Sequence, residues 1–334
     1  MHTITQKSAE WAKAEFDLRY EISDIRLFAK TFCGISCSSH FLDITEEDLL
    51  EAPSRILMEY GVQVAQINSC PVKKGLKKIS FRDGVVVYSM SAYDHYYVDT
   101  QKSFDEYLEK FKSKTRSTLK KKVLKFSQED QGKNYFKKFT TATEMDTFLK
   151  LAAVVSAKTY QHRLFGRGIP SNSEFCRSVM NQAELGLVRG YLLFFEGNPV
   201  AYTYAPFVSD GVLLYDYNGY DPDFGKLSPG TVIQYKVIED LCLDPNAKIY
   251  DLCVGEDEHK TLFSTDSRYC ADILVLRKSL KNILIVLTHL ALTSFSARAG
   301  NFLDCFNLKS RLKKFIRKNT RTGEPSPQEM NSGT

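Results

Sequence analysis

Ser228-Pro229-Gly230 is the place in this 334-residue chain where residue types alone point to ligand chemistry. A proline at the first helical position gives up no hydrogen bond. The N–H groups of Gly230 and Thr231 behind it lie at the positive end of the helix dipole, and anions bind there. Lys226, with Leu227 between it and Ser228, adds a charge-assisted contact. Lys226, Leu227, Ser228, Gly230 and Thr231 therefore form a candidate cradle for a phosphate-bearing ligand. A plain capped helix would have the same local sequence.

A second group lies downstream. Asp251 ends a strand, and Glu256, Asp257, Glu258, His259 and Lys260 follow within ten residues. A carboxylate takes a proton directly or through water. His259 titrates near neutrality and can serve as acid or base. Lys260 can hold a substrate carboxylate or phosphate. A solvated acidic loop is the bland reading of 256–258, so Asp251, Glu256 and His259 remain alternatives. Tyr160 and Gln161 follow a helical run and can orient a polar acceptor by hydrogen bonds, or simply pack a helix end. Tyr217 lies on a strand where it can line a cleft. The sequence contains no Gly-x-Ser-x-Gly elbow, and no P-loop or dinucleotide fingerprint.

Charge narrows the partners. Lys and Arg total 45 against 40 Asp and Glu. Residues 110–125 hold eight basic groups and no acid, and residues 309–321 hold seven and no acid. The remaining 30 basic groups face all 40 acids, so a general nucleic-acid coat is excluded while two local patches can draw phosphates or anionic surfaces. Eight cysteines are scattered, and only Cys33 and Cys37 are close, with His40 three residues beyond. No second pair stands at zinc spacing. Free thiols in a reducing cytoplasm are expected, with no metal. No apolar leader is evident at the N-terminus, and the apolar stretch 283–292 is too short to span a bilayer.

The elements that position these residues follow from pattern. Phe16–Ile22 alternates as a strand, Thr45 with the acids after it marks a helix start, and Val85–Tyr88 and Tyr93–Val98 are β-rich. Ser103 and Glu106 form a capping box. An apolar stripe from Phe104 to Phe126 then predicts one long helix with the basic run on its outer face. Further helices are expected with Thr143 and with Ser171 as caps, the latter paired with Glu174 and ending at Gly186. Leu187–Phe195, Pro199–Val208 and Val212–Tyr220 read as a three-strand antiparallel meander with turns at Gly197-Asn198 and Ser209-Asp210-Gly211. A helix follows Ser228, then strands over 248–253 and 269–276. A helix between strands allows a crossover, so the sheet should be mixed and mostly antiparallel.

From about Tyr97 to Arg277 these segments resemble a known family. The stretches are Ser103-Phe104-Asp105-Glu106-Tyr107-Leu108, Lys114-Thr115-Arg116-Ser117-Thr118-Leu119-Lys120, Ser156-Ala157-Lys158-Thr159-Tyr160-Gln161, Gly190-Tyr191-Leu192-Leu193, Gly197-Asn198-Pro199-Val200-Ala201, Tyr220-Asp221-Pro222 and Leu227-Ser228-Pro229-Gly230-Thr231. Their order is similar to that of the GNAT-fold acyltransferases grouped with cellulose-biosynthesis (CelD-type) proteins, which themselves resemble FemAB-type aminoacyltransferases. The resemblance implies an α/β (α+β) GNAT fold, with two GNAT-like modules in tandem. It implies acetyl-CoA or another acyl-CoA as co-substrate, its diphosphate on the Ser228–Gly230 turn. Direct transfer of the acyl group to an amine or hydroxyl follows, with a backbone N–H in Tyr215–Asn218 polarising the thioester carbonyl. Asp251, Gly255 and Lys260 match the family pattern, whereas His259 stands where a tyrosine is usual.

Two alternatives accompany this reading. One is a Fem-type enzyme using aminoacyl-tRNA, bound by the basic helix around Lys120–Lys122. The other is a non-catalytic binding protein on a decayed GNAT fold. The expected organisation is an N-terminal α/β module over 1–100, the acyltransferase domain over 101–280, a basic amphipathic helical segment over 281–320 that could also contact a membrane surface or a partner helix, and a disordered tail over 321–334.

Overall fold

A computed structural model of the protein describes residues 11–22, 25–38, 53–130, 135–159, 168–254 and 258–305. The helix start at Thr45, the basic run 309–321 and the tail beyond it lie outside these residues, as do Tyr160, Gln161, Glu256 and Asp257.

In chain order the elements are β1 (Ala12–Ile22), β2 (Ile25–Ser38), α1 (Pro53–Glu59), β3 (Val64–Pro71), β4 (Ile79–Arg82) and β5 (Val85–Asp99). Next come α2 (Phe104–Glu109), α3 (Ser113–Glu129), β6 (Phe136–Phe139), α4 (Ala142–Lys158), α5 (Ser173–Glu184), β7 (Val188–Phe195), β8 (Asn198–Ser209), β9 (Val212–Leu214) and β10 (Tyr217–Tyr220). A 3-10 turn over Pro222–Leu227 leads to α6 (Pro229–Leu241), β11 (Ile249–Val254), α7 (Glu258–Phe263), β12 (Asp266–Arg277) and α8 (Leu280–Cys305).

All twelve described strands join one mixed sheet, ordered β1-β2-β3-β12-β5-β11-β9-β8-β7-β6, with β10 on β8 and β4 on β5. Only β2–β3 and β9–β11 pair in parallel among the described strands. The sequence boundary near residue 100 is not a boundary of the sheet, because β12 inserts between β3 and β5.

Alternation along the strands sorts the core onto two faces. Tyr191, Leu193, Ala201, Leu213 and Tyr250 pack under Leu119 and Phe126 of α3 and Val232, Val237 and Leu241 of α6. Leu192, Tyr202 and Tyr204, one step out of phase, pack under Phe148, Ala152 and Val179 of α4 and α5. At the other end of the sheet α8 covers Leu18, Tyr20, Tyr88 and Leu274. Register pairing carries these faces through β5 and β12, so α8 and the α4–α5 pair share one face.

Several local expectations need correction. The stripe from Phe104 to Phe126 is two helices. The break comes at Lys112, which is extended (φ −55°, ψ 146°), two residues after a still-helical Lys110 whose ammonium donates to the carbonyls of Leu262 and Ser264. Buried Phe111 is thereby set edge-on against Tyr107 and Phe263. The cap of α4 is Thr141 rather than Thr143, since Thr141 Oγ1 accepts from Glu144 N and Glu144 Oε2 accepts from Thr141 N. The cap of α5 is Asn172 rather than Ser171, its side-chain oxygen accepting from Phe175 N at 2.8 Å. In each case a residue one or two positions away has the better three-residue spacing to a free N–H.

Candidate active site

The expected third meander strand, Val212–Tyr220, is split. β9 pairs in parallel with β11 as far as Leu214↔Asp251, and Tyr215 N donates to Asp251 O at 2.8 Å as the last rung. Beyond it β10 stays with β8, while β11 continues along β5 to Val254↔His95. A gap therefore opens between two strands that begin side by side. The cause is a bulge. Asp216 N bonds Tyr204 O at 3.3 Å although Tyr217 is the register partner of Tyr204, so two residues oppose one.

The bulge decides which backbone donors face the gap. Asp216 N reaches Tyr204 O and Asp221 N reaches Val200 O, so the even-numbered residues of β8 turn their peptide groups toward β10. Residues 217, 219 and 221 answer them. By alternation, Asn218 turns its N–H to the side that β11 has left. Gly219 suits the crowding on the α4 side, where a Cβ would lie 2.6 Å from Thr159 Cγ2 and 3.0 Å from the Tyr202 ring. Gly219→Val is expected to destabilise the fold by about 1–3 kcal/mol, the usual cost of overpacking. Urea unfolding would check this, with Asn218→Ala next to it as a milder comparison.

The turn after β10 presents the second donor. Ser228 sits in the left-handed region (φ 54°, ψ 47°) at the N-cap of α6 without a side-chain cap bond. Thr231 N and Val232 N both return to Ser228 O, at 2.9 and 3.1 Å. Pro229 has no N–H, and Gly230 N has no hydrogen-bond partner among the described residues. A left-handed residue followed by helical ones makes a concave nest of N–H groups, which adds to the helix end in favouring an anion. Tyr220 closes one wall, its ring 3.2 Å from where a Gly230 Cβ would be. Leu227 packs on the core beneath α6, and Lys226 is exposed at the end of the 3-10 turn. Buried Asp221 anchors the start of that turn, accepting from Lys158 Nζ at 2.8 Å and from Asp223 N at 3.1 Å. On the α6 side of the diverging strands, the side chains of Thr203, Gln234 and Tyr250 keep buried polar atoms without a hydrogen-bond partner among the described residues.

Of the acid–base candidates, Asp251 and His259 lie among the described residues. Asp251 is wholly buried. It accepts from Cys253 N at 2.8 Å and lies 2.5 Å from His95 Nε2. It ties β11 to β5 and fixes the bulge where Cys253 takes a left-handed backbone (φ 65°). Burial raises the Cys253 thiol far above its ordinary range, so it stays protonated. His259 lies on α7 with its ring 4.8 Å from that of Phe263, a member of the α3–α6 core. Lys260 Nζ donates to Val254 O at 2.7 Å, closing the end of β11. Tyr217 packs against Phe175 and Tyr204, on the wall made by α5.

Asp216 is the group that residue reading passed over. It stands at the bulge, two residues before Asn218, and its charge is felt by Tyr204, Tyr217 and Cys253. Its side chain reaches solvent, yet the surrounding protein desolvates the carboxyl and pushes it up to about 6. The stretch Tyr215–Asn218 attracts attention in the sequence for its backbone alone. His95 was likewise missed, because 156 positions separate it from Asp251. A signal for it exists in the polar alternation Ser91, Tyr93, His95, Tyr97 on β5. On the same face β12 contributes Asp266, Arg268 and Asp272 in register. Asp272 is saturated, accepting from Ser69 N, Tyr93 Oη and Ser91 Oγ at 2.7–3.0 Å. It locks a fold irregularity rather than offering a reactive group.

A family model described as acetyltransferase (GNAT) domain matches residues 113–261. Among solved structures the chain is similar to the C-terminal DUF2156 domain of a putative lysylphosphatidylglycerol synthetase from Agrobacterium fabrum, at TM-score 0.48 and 10% identity, covering 77% of this chain and 83% of that one. It is similar to FemX at TM-score 0.47 and 12% identity, covering 84% and 90%. It is also similar to L-PGS from Bacillus licheniformis at TM-score 0.44 and 15% identity, covering 82% and 88%. No curated protein matches the sequence. With its bulged and splayed strands, its left-handed turn and the helix behind them, the segment 113–261 is a domain of the acetyltransferase (GNAT) family.

Proposed function

We propose that the protein transfers an acyl group, acetyl being the simplest, from acyl-CoA to an amine or hydroxyl, directly and without a covalent enzyme intermediate. The observation that carries this reading is the gap between β10 and β11, with the Ser228–Gly230 nest beyond its open end and Asp216 at its apex. The diphosphate would rest on Gly230 N and Thr231 at the start of α6, with Lys226 beside it. The acyl-bearing arm would lie along β10. Asn218 N–H would donate to the thioester carbonyl as negative charge develops there. Asp216 would take the proton of the attacking group. Asp251 and His95 would act as positioning residues that hold β11 away from β10. The residues present fit the co-substrate, because an unpaired N–H on a cradle and a turned-out strand N–H are what an anion and a carbonyl need.

Calorimetry with acetyl-CoA and with coenzyme A tests the placement. Gly230→Pro removes one N–H at a position where α6 makes no use of it. Losing a hydrogen bond to a charged group is worth about 1.5–3 kcal/mol, so the dissociation constant should rise roughly 10- to 100-fold. Gly230→Ala keeps the N–H and should bind within about threefold once Tyr220 has shifted by a few tenths of an ångström. Equal affinity of all three proteins would sink the placement.

A second donor is favoured by one feature. Arg116, Lys120 and Lys121 on the outer face of α3 line a concavity of 310 Å³ with Ser113, Ser117 and Leu124. Aminoacyl-tRNA could lay its backbone there. Filter binding of tRNA across a salt series checks this reading, which expects a steep salt slope. Absence of tRNA binding at low salt removes it.

A further inference from the structure

We propose that the α8 face of the protein docks, without crossing, on an anionic lipid surface. Among its described side chains α8 carries apolar residues on two sides, and the fold uses one of them. Its inner side, with Ile283, Val286 and Leu290, packs on the sheet, and His289 bonds Tyr88 Oη. Its outer side exposes Leu280, Leu284, Leu287 and Phe295, at 89, 63, 48 and 58%. Their spacing of four, three and eight residues keeps them in one stripe about 22 Å long. Two more aromatic rings extend the patch. Phe28, 56% exposed, stacks 4.2 Å from Tyr20, whose hydroxyl bonds Ile285 O. Phe81, 51% exposed, carries Lys278 Nζ 5.7 Å above its ring beside the start of α8. An exposed apolar group of this extent marks an interaction surface.

Charge selects the occupant. From Arg277 to the end of α8 the chain has four basic residues, Arg277, Lys278, Lys281 and Arg298, against one acid, Asp304. Next to Phe81, Lys73, Lys74, Lys77 and Arg82 line a concavity of 560 Å³. A second copy of the chain would set this basic patch against the same basic patch, since a two-fold contact uses one surface twice. Anionic headgroups instead gain from each cation while the apolar stripe enters the acyl boundary. No helix among the described residues is long and apolar enough to cross a membrane, so the contact is peripheral.

The test floats the full chain with vesicles of phosphatidylcholine containing about one third phosphatidylglycerol, and with phosphatidylcholine alone, and measures its mass by light scattering. The expected result is a monomer that binds the anionic vesicles at least tenfold better than the neutral ones, less well in high salt. Leu284→Asp with Phe295→Asp should lower partition at least tenfold, and Lys278→Glu with Lys281→Glu several-fold. Leu185→Asp, at an exposed leucine on the far side of the sheet from β1, should leave it unchanged. Each variant must keep the wild-type thermal midpoint. No partition into anionic vesicles overturns the proposal. So does a dimer in solution that Leu284→Asp dissolves, since the stripe would then be a subunit contact. Both outcomes are independent of whether acyl-CoA binds.

Discussion

Asp216→Asn is expected to slow acyl transfer by about 100- to 10,000-fold, the usual range for losing a positioned general base. Thiol release from acetyl-CoA against a panel of amines and alcohols provides the measurement, and coenzyme A affinity should stay unchanged. The pH dependence has a definite sign. Burial holds the Asp216 carboxyl at about 6, above the ordinary carboxylate range. Only the ionised form accepts a proton, so the wild-type rate should fall as pH drops through about 6. The residual rate of the asparagine variant should lack that limb. Stability runs the other way. A carboxyl raised in the folded state favours its protonated form there, so this group's contribution declines as pH rises from about 4 toward 6. A carbon NMR titration of Asp216 near 4 in the folded protein would remove the assignment.

The second large effect concerns the buried pair His95–Asp251. Asp251→Ala should destabilise the protein by about 3–5 kcal/mol, because it leaves buried His95 and the Cys253 N–H without their acceptor. Asp251→Asn should cost less, since an amide oxygen still accepts from Cys253. Urea unfolding with unchanged slope would register both. The double variant with His95→Ala should be clearly less destabilised than the sum of the singles, as expected for groups in contact. Additive losses, or a loss under about 1 kcal/mol for Asp251→Ala, would mean that the pair does not hold β11 to β5.

These two predictions differ in how far the sequence could reach them. The Ser228–Gly230 turn was legible because its chemistry is local. Proline, glycine and a helix start occupy consecutive positions, and backbone conformation follows from them. The helices over 142–158, 173–184 and 229–241 and the strands β7, β8, β11 and β12 were legible for the same reason, since apolar periodicity repeats within each element, whereas β6 and α7 were not. The two misplaced caps failed on local spacing, Thr141 and Asn172 being better set to their i+3 partners, whereas the other failures involve distant contacts. The break at Lys112 sits beside Lys110, whose ammonium bonds carbonyls more than 150 residues away. The split of Val212–Tyr220 arises because β9 meets β11 and β10 does not. Asp216, the base proposed above, drew no attention in the sequence because exposure to a cleft is a property of packed strands.

By itself the sequence determined the mixed α/β class, the start of α6 at Pro229 and the placement of a basic stripe on α3. All of these rest on neighbours within a few positions of one another. Only the tertiary structure decided that Asp251 is a buried anchor for His95, that Asn218 turns its N–H to the gap, and that one side of α8 remains bare. Desolvation, peptide direction at a bulge and the coverage of a helix face each depend on which strands lie next to one another, and pairing across a hundred residues leaves no period in the sequence.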